Sequence, residues 1–204
     1  VDGRLRVGAT GSELYHGDDH GLFVYRQAQG DFRVEVTLAD VVEDLGGQYR
    51  KACLMVRGTV GVDGGTGLLD PRLMACFVPH FPAPDVPAYQ FDVRFADGGT
   101  AVELASTYTQ SPEPVRFAFT RRGSAVTASF SADGGLTWVE PVGGAGGTVE
   151  IELGDVVHAG VMVASYDPAQ TFTVDFDDFR VCRPDEGPPA DPRPAPACDP
   201  DQGL

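Results

Sequence analysis

The sequence has no asparagine, which excludes N-linked glycosylation because that modification requires this residue. Lysine occurs once, as Lys51. No apolar run approaches the roughly 18–20 residues of a membrane-spanning helix, so we expect no membrane span. A basic start followed by an apolar stretch is also missing. Any secretion signal is therefore expected to have been removed or to lie outside this sequence.

Positive charge is scarce as well. The chain has fifteen basic and thirty acidic side chains, which gives a net charge of −15 and an isoelectric point near 4.4. A field of this sign repels phosphate backbones and anionic lipid headgroups, so nucleic acids and membrane surfaces are not expected partners. The acidity suits contact with divalent cations outside the cell, and it equally suits solubility alone.

Signals for helices are almost absent, whereas short alternating runs bounded by Gly, Pro and Asp recur along the chain. The clearest runs are 31–38, 51–57, 72–78, 89–95, 115–121, 125–131, 158–165 and 172–181. At least eight short strands separated by turns indicate an all-β, two-sheet antiparallel jelly-roll sandwich over residues 1–182. Residues 183–204 hold seven of the sixteen prolines and no aromatic residue, which predicts an extended Pro-rich linker or tail.

Four cysteines are present, at Cys53, Cys76, Cys182 and Cys198. They form no CxxC pair and have no histidine at zinc spacing. If the second and third runs form a hairpin that pairs Arg57 with Arg72, Cys53 lies opposite Cys76 at a distance that suits a disulfide. A second bond, between Cys182 and Cys198, would tie the tail to the last strand. Oxidised cysteines predict an exported protein, and four free thiols in a cytosolic protein are the alternative.

Several segments resemble one family. YRKACLMVRG resembles the Y-x-K-x-G-x-M-x-R strand of a bacterial concanavalin-A-like jelly-roll family of unknown function, sometimes named for a yeast enolase-regulation protein. The order of GDFRVEV, VRFAFTRRGSAVTASFSADGGLTW, HAGVMVAS and VDFDDFRV is also similar, and the match spans about residues 20–181. The family's glycine is replaced by Cys53, which fits an added cross-strand disulfide. The resemblance implies a secreted or surface protein, often beside carbohydrate-active modules.

An Asp-box pattern, S-x-D-x-G-x-T-W, lies within this stretch. Its members are Ser131, Asp133, Gly135, Thr137 and Trp138. Asp133 is expected to accept hydrogen bonds from turn amides, the glycines to adopt left-handed conformations, and Trp138 to plug the base of the hairpin as part of the core. The pattern is interpreted as structural, and a ligand role is the alternative.

One acidic segment resembles a catalytic strand. Glu150, Glu152 and Asp155 form the nearest approach to the E-x-D-x-x-E strand of jelly-roll glycosidases, but the carboxylates stand in a different order. Retaining hydrolysis needs two carboxyl groups about 5–5.5 Å apart. Since this segment lies at a Gly-marked strand end, solvated acids are the preferred interpretation, and no catalytic residue is predicted.

Two further clusters suggest metal ions. Asp177 shares a face of the last strand with Asp175, and in concanavalin-A-like folds an aspartate at this end of the strand can hold a structural Ca²⁺. His16 and His20 flank two aspartates, but Gly17 and Gly21 favour a solvated loop over a metal site. No other cofactor is predicted.

Strand alternation predicts a polar groove. Ala52, Leu54 and Val56 should face the core, as should Phe91, Val93 and Phe95, so the intervening residues share the opposite face. The predicted ligand-binding residues on that face are Tyr49, Lys51, Arg57, Asp92 and Arg94. Charged groups beside an aromatic ring are typical of carbohydrate recognition, and a salt-bridged sheet face without a ligand is the alternative.

The sequence therefore predicts a secreted, non-catalytic β-sandwich module that binds carbohydrate or serves a larger surface protein. Expected partners are a carbohydrate or neighbouring domains of that protein. A structural or adhesive subunit of an extracellular, self-assembling structure is the second hypothesis, and a glycoside hydrolase is the third.

Overall fold

The fold consists of antiparallel strands throughout the described part of the chain. The computed structural model describes residues 3–12, 14–16, 19–43, 48–58, 71–79, 87–108, 114–141 and 147–184. The strands in these ranges are β1 Leu5–Ala9, β2 Leu22–Gln29, β3 Phe32–Glu43, β4 Lys51–Arg57, β5 Arg72–Val78, β6 Ala88–Arg94, β7 Val102–Tyr108, β8 Val115–Arg122, β9 Ala125–Ser131, β10 Thr148–Glu150, β11 Val156–Ala164 and β12 Phe172–Cys182. No helix occurs in these ranges, so none of the described residues form a helix that could span a membrane.

Two six-stranded sheets make up the sandwich. The first sheet has the order β1-β12-β3-β8-β9-β10, and the second has the order β2-β11-β4-β5-β6-β7. The all-β, two-sheet antiparallel jelly-roll fold predicted from the sequence is confirmed. The alternation of apolar and polar residues in the sequence did not reveal β1, β2, β7 or β10. These strands are short or lie at the outer positions of the sheets.

The main core fills the space between the sheets. It receives Ala52, Leu54 and Val56 from β4, and aromatic side chains such as Phe117 of β8 and Phe176 of β12 from the first sheet. The inward direction predicted for the β4 residues is therefore correct, as it is for Phe91 and Val93. The prediction for Phe95 is wrong. β6 ends at Arg94, and the Phe95 side chain beyond it is half exposed because the alternation stops with the strand.

The middle strands β4, β5 and β6 of the second sheet are buried on both faces. Every residue of β4, β5 and β6 is buried, whereas an antiparallel sheet commonly leaves one face to solvent. A second apolar cluster on the outer face contains Cys53, Cys76, Met55, Met74 and Met162, the last three being all the methionines of the chain. Leu14 packs into it from outside the sheet. A chain segment therefore covers the outer face.

The hairpin β4–β5 has the register expected from its sequence. Arg57 pairs with Arg72 and Cys53 with Cys76, and a disulfide joins the two cysteines. Cys182 ends β12 and is half-buried. Cys198 lies outside the described residues, as do residues 185–204 of the predicted tail. The second disulfide and the division near residue 182 therefore stay predictions.

Candidate functional site

The outer face of the second sheet carries the predicted binding residues, but under a cover. Lys51, Arg57, Asp92 and Arg94 all point to this face, as strand alternation indicated, and all four are buried. The expectation of an open polar groove needs correction, because the segment that precedes β2 lies across the groove. Tyr49 alone of the predicted set is exposed.

The cover is a loop of residues 11–21, described at 11, 12, 14–16 and 19–21 and called the covering loop below. Its ends approach each other closely: an ideal Cβ on Gly11 would collide with the carbonyl of His20 and would lie 3.0 Å from the Gly21 Cα. Gly11 also has a φ of +147°, which side chains rarely allow. Adjoining ends are a feature of Ω-loops. The absence of a side chain at Gly11 thus permits the two ends of the loop to meet.

Asp19 fixes the covering loop to three arginines. Its carboxylate accepts hydrogen bonds from Arg72 Nε at 2.8 and 2.9 Å and from Arg94 Nη1 and Nη2 at 3.0 and 2.8 Å. Arg57 Nη1 adds a fifth contact at 3.2 Å. All four side chains have zero exposure. Sequence reasoning placed Asp19 in a solvated loop and missed this centre, although arginines on adjacent strands required a counter-charge.

Backbone carbonyls of the same loop complete the arginine contacts. Arg72 Nη2 donates to the Leu14 carbonyl, and Arg94 Nη2 donates to the His16 carbonyl at 2.7 Å. The loop also accepts a backbone hydrogen bond at the Tyr15 carbonyl from Ala101 at 2.7 Å. Burial lowers the pKa of Arg72, since its charged form is removed from water, while Asp19 opposes that shift.

Lys51 and Asp92 form a second buried ion pair on this face. Lys51 Nζ donates to Asp92 Oδ2 at 2.9 Å, and the ammonium group lies 5.8 Å from the centre of the Tyr15 ring. Within the described residues, Asp92 Oδ1 has no hydrogen-bond partner. The only lysine of the chain is thus an interior group, and Tyr15 of the covering loop lies beside it.

Two exposed tyrosines adjoin at the end of the second sheet where β4 begins and β11 ends. The rings of Tyr49 and Tyr166 lie 5.2 Å apart, and the residues are 39% and 44% exposed. Both have positive φ, 62° and 66°, a conformation that is uncommon for residues with a bulky side chain. Such backbone strain clusters at binding sites. No sequence pattern indicated Tyr166, because it is a single residue beyond a strand.

Hydrogen bonds hold the backbone beneath this tyrosine pair. Arg50, next to Tyr49, is buried and donates to Gln170 Oε1 at 2.5 Å. The turn after Tyr166 is closed by Gln170 N bonding to the Asp167 carbonyl at 3.0 Å and by Ser165 Oγ bonding to the same carbonyl at 2.6 Å. Both rings therefore project from ordered backbone.

The two metal hypotheses find no ligand cluster in the described part of the chain, where no three His, Cys, Asp or Glu side chains converge. Asp177 Oδ2 lies 3.9 Å from Arg4, and Asp175 accepts two hydrogen bonds from Arg6 at 2.8 Å. Arg6 lowers the pKa of Asp175 through these bonds. Each carboxylate therefore has an arginine as its neighbour. Calcium binding at Asp177 stays a prediction. Asp18 lies outside the described residues, which leaves the histidine pair untested too.

The acidic segment at β10 remains exposed. Glu150 accepts a hydrogen bond from Ser124 Oγ at 2.6 Å, and Glu152 is exposed between the buried Ile151 and Leu153. This alternation gives Glu150 and Glu152 the same outward direction at the edge of the first sheet.

The turn after β9 is held by its own side chains. Ser131 Oγ accepts from the Gly135 amide at 2.8 Å and donates to Asp133 Oδ1 at 2.7 Å. Asp133 also accepts from the Thr137 amide at 2.9 Å and the Thr137 hydroxyl at 2.5 Å. The expectation for Trp138 is wrong: its ring is half-buried on the outside of the first sheet, 4.4 Å from the Arg33 guanidinium. After the turn Val139 pairs with Phe130, which packs against the core, so the preceding residue Trp138 faces outward.

Acid should weaken this turn. The hydrogen bonds from Thr137 hold the pKa of Asp133 well below its usual value. The carboxylate's contribution to stability is therefore complete above about pH 4, the unfolded value, and is lost as the pH falls further. We expect Asp133→Asn to unfold at lower urea concentration than the parent at pH 7, with a gap that narrows at pH 3 and again at pH 2. A constant gap, or an equal effect of Asp97→Asn in the exposed turn after β6, would contradict this account.

Comparison with known proteins gives a fold. No family model and no curated protein matches the chain. A functionally unknown protein of Saccharomyces cerevisiae has a TM-score of 0.66 at 14% identity over 89% of both chains. A GH43 protein of Bacillus licheniformis has a TM-score of 0.63 at 15% identity, and a xylan β-1,4-xylosidase of Bacillus halodurans has 0.56 at 16%. Those matches cover 89% and 88% of this chain but 33% of each Bacillus protein, so this chain corresponds to a third of their length.

Proposed function

We propose that this chain is a non-catalytic carbohydrate-binding module of an exported protein, and that Tyr49 and Tyr166 form its sugar-binding platform. The observation that carries the proposal is the pair of exposed, adjoining tyrosine rings on strained but hydrogen-bonded backbone. A tyrosine offers an apolar face to the C–H side of a sugar ring and a hydroxyl for its polar edge. Little side-chain entropy is lost when such rings are already in place.

The neighbourhood of the pair supports the same ligand class. Lys51, two residues from Tyr49, pairs with Asp92, but both side chains are buried, so a sugar would meet the tyrosine pair and not these charges. Tyr15 lies over Lys51 at the surface of the covering loop. Aromatic surface with a few polar groups is typical of small-molecule sites.

The comparisons and the disulfide support the setting. The same fold forms part of longer proteins whose names refer to GH43 and to xylan β-1,4-xylosidase activity, so xylan fragments are the first ligands to test. The buried Cys53–Cys76 disulfide suits an oxidising compartment, which favours export.

The test is a binding titration with xylo-oligosaccharides and with other neutral β-linked oligosaccharides. We expect Tyr49→Ala and Tyr166→Ala each to weaken binding about tenfold or more, since loss of one aromatic contact costs on the order of 1.4 kcal/mol. Tyr25→Ala is the matched control, because Tyr25 is 42% exposed on β2 but contacts Phe23 and His158 instead of the tyrosine pair.

Three results would oppose the proposal. Equal losses in the Tyr25 variant would remove the special role of the pair. Failure of the parent to bind any neutral saccharide, together with ordered self-association, would favour the structural or adhesive subunit. Release of reducing ends from xylan, abolished in Glu152→Gln, would show a glycoside hydrolase.

A further inference from the structure

The outer face of the first sheet carries a polar patch beneath the only tryptophan of the chain. Arg33 and Glu35 of β3 and Arg116 of β8 point to this face, because their neighbours along each strand enter the core. The indole of Trp138 lies over the two arginines, whose guanidinium carbons are 4.4 and 6.0 Å from the ring centre. These four residues are called the Trp138 patch below.

The hydrogen bonds of the Trp138 patch leave two guanidinium nitrogens without an acceptor. Glu35 accepts from Arg33 Nε at 2.5 Å through one oxygen and from Arg116 Nη2 at 3.1 Å through the other. Arg33 Nη1 donates to Thr120 Oγ1 at 2.8 Å, and Arg116 Nη1 donates to the Gly134 carbonyl at 3.0 Å. Arg33 Nη2 and Arg116 Nε are buried and have no hydrogen-bond partner among the described residues. Since a buried donor without an acceptor destabilises a folded protein, these two atoms call for a reason.

The Trp138 patch lies close to solvent. The Arg33 and Arg116 side chains are each 13% exposed, and Trp138 is half-buried. Because the indole lies above the Arg33 guanidinium, a change of the indole rotamer uncovers the nitrogen that lacks an acceptor. Side chains at a protein surface change rotamer quickly. A ligand therefore reaches the arginines through the movement of one side chain.

The chemistry of the patch selects the ligand. The two guanidinium groups already hold one carboxylate between them, that of Glu35, by one oxygen each. A second planar carboxylate would supply the acceptors that Arg33 Nη2 and Arg116 Nε lack. The indole offers an apolar face to a ring that bears this carboxylate, and Leu136 of the same turn adds apolar surface, being 81% exposed. The acidity of the chain does not oppose such a ligand, because charges more than about 8 Å away are screened at physiological salt.

We propose that the Trp138 patch is a second binding site, for an acidic saccharide. The ligand's carboxylate accepts hydrogen bonds from Arg33 and Arg116, and its sugar ring stacks on the indole of Trp138. The ligand class is a uronate or an oligosaccharide of uronates. The turn after β9 thereby has a role beyond its own stability, since it carries the indole. This site lies on the other sheet from the tyrosine platform and does not depend on it.

Trp138 reports on its own site, because the chain has no other tryptophan. Titration with trigalacturonate is therefore followed by tryptophan fluorescence and in parallel by calorimetry, and we expect a saturable change in the emission of the parent. Arg33→Lys keeps the charge but loses the planar fork of donors, so it should bind about tenfold more weakly. Arg122→Lys is the matched control and should bind as the parent does, since Arg122 is an exposed arginine at the end of β8.

Glu35→Gln gives a test of the opposite sign. The Glu35 carboxylate competes with the ligand for the two guanidinium groups, so its replacement by an amide of the same shape should tighten trigalacturonate binding by on the order of tenfold. A purely structural role for Glu35 would leave the affinity unchanged or lower it, and either result would oppose the site. If circular dichroism shows that one of these variants is unfolded, Trp138→Ala replaces it, and calorimetry should then show binding about tenfold weaker than in the parent.

The choice of probes separates this site from its alternatives. Neutral xylotriose and sodium chloride should leave the emission of Trp138 unchanged, and the same response to xylotriose as to trigalacturonate would overturn an acidic ligand. Acetate that binds as tightly as trigalacturonate would overturn the stacking of a sugar ring, and tighter binding of inorganic sulfate than of glucuronate would overturn the carboxylate. Tyr49→Ala should bind trigalacturonate as the parent does while it loses xylo-oligosaccharide binding, so this site and the proposed function hold or fail separately.

Discussion

Asp19→Ala is expected to lose about 3–5 kcal/mol of unfolding free energy, the usual cost of removing one partner from a buried ion pair. The expected size follows from the structure, in which five contacts of 3.2 Å or less join one carboxylate to three arginines with zero exposure. Without Asp19, the arginines repel each other in a region of low dielectric constant. Urea unfolding followed by circular dichroism measures the change. Asp97→Ala, in an exposed turn, is the control and should change the free energy by less than about 0.5 kcal/mol.

A second substitution shows whether charge is the cause. If the loss in Asp19→Ala arises from uncompensated arginines, adding Arg72→Met should recover part of it, because one unpaired cation is then replaced by an apolar side chain. Arg72→Met alone should destabilise the protein, since it removes two hydrogen bonds to Asp19 and one to Leu14. Simple addition of the two losses would mean that the loop is held mainly by packing, as at Leu14.

Alternation along the strands carries much of the information about the fold. Side chains at successive positions of a strand point to opposite faces. This alternation correctly assigned Leu54 of β4 and Val93 of β6 to the core, and Arg57 and Arg94 to the other face. The pairing of Cys53 with Cys76 follows from the hairpin register. These features depend on the period of two in a strand, which is local and visible in the sequence.

Loops have no such period, and the residues that were predicted wrongly lie in loops and turns. Asp19 belongs to a Gly-rich loop whose composition matches that of a solvated one, so nothing local distinguishes a buried aspartate from an exposed aspartate. The signal that existed was indirect: three arginines on one face of adjacent strands require a carboxylate from elsewhere. Trp138 was misplaced for a related reason, since the direction of a side chain after a turn depends on the turn's geometry.

The candidate site was therefore half predictable. Tyr49 could be placed at the rim of the outer face because it lies two residues before β4. Lys51 and Asp92 could be placed on that face because side chains alternate along a strand. Tyr166 enters the site only through the pairing of β11 with β4, which joins segments more than a hundred residues apart. A long-range contact of this kind cannot be read from one strand's pattern.

The second large effect concerns the disulfide. Replacing Cys53 and Cys76 together by alanine is expected to lower the free energy of unfolding by about 3 kcal/mol, because the bond restricts an unfolded chain over a sequence separation of 23 residues. The methionines around the bond should fill part of the space left by the sulfur atoms. Asp97→Ala, in the exposed turn after β6, is again the control and should change the free energy of unfolding by less than about 0.5 kcal/mol.

The covering loop should also determine how fast this disulfide is reduced. Both cysteines have zero exposure, and Leu14 packs on the cluster that contains them, so a thiolate reaches the bond only after local opening. Asp19→Ala weakens the loop's attachment and should accelerate reduction by dithiothreitol at least tenfold under native conditions, as measured by mass after alkylation. Equal rates in the parent and in Asp19→Ala would mean that opening of the hairpin itself, not of the loop, exposes the sulfur atoms.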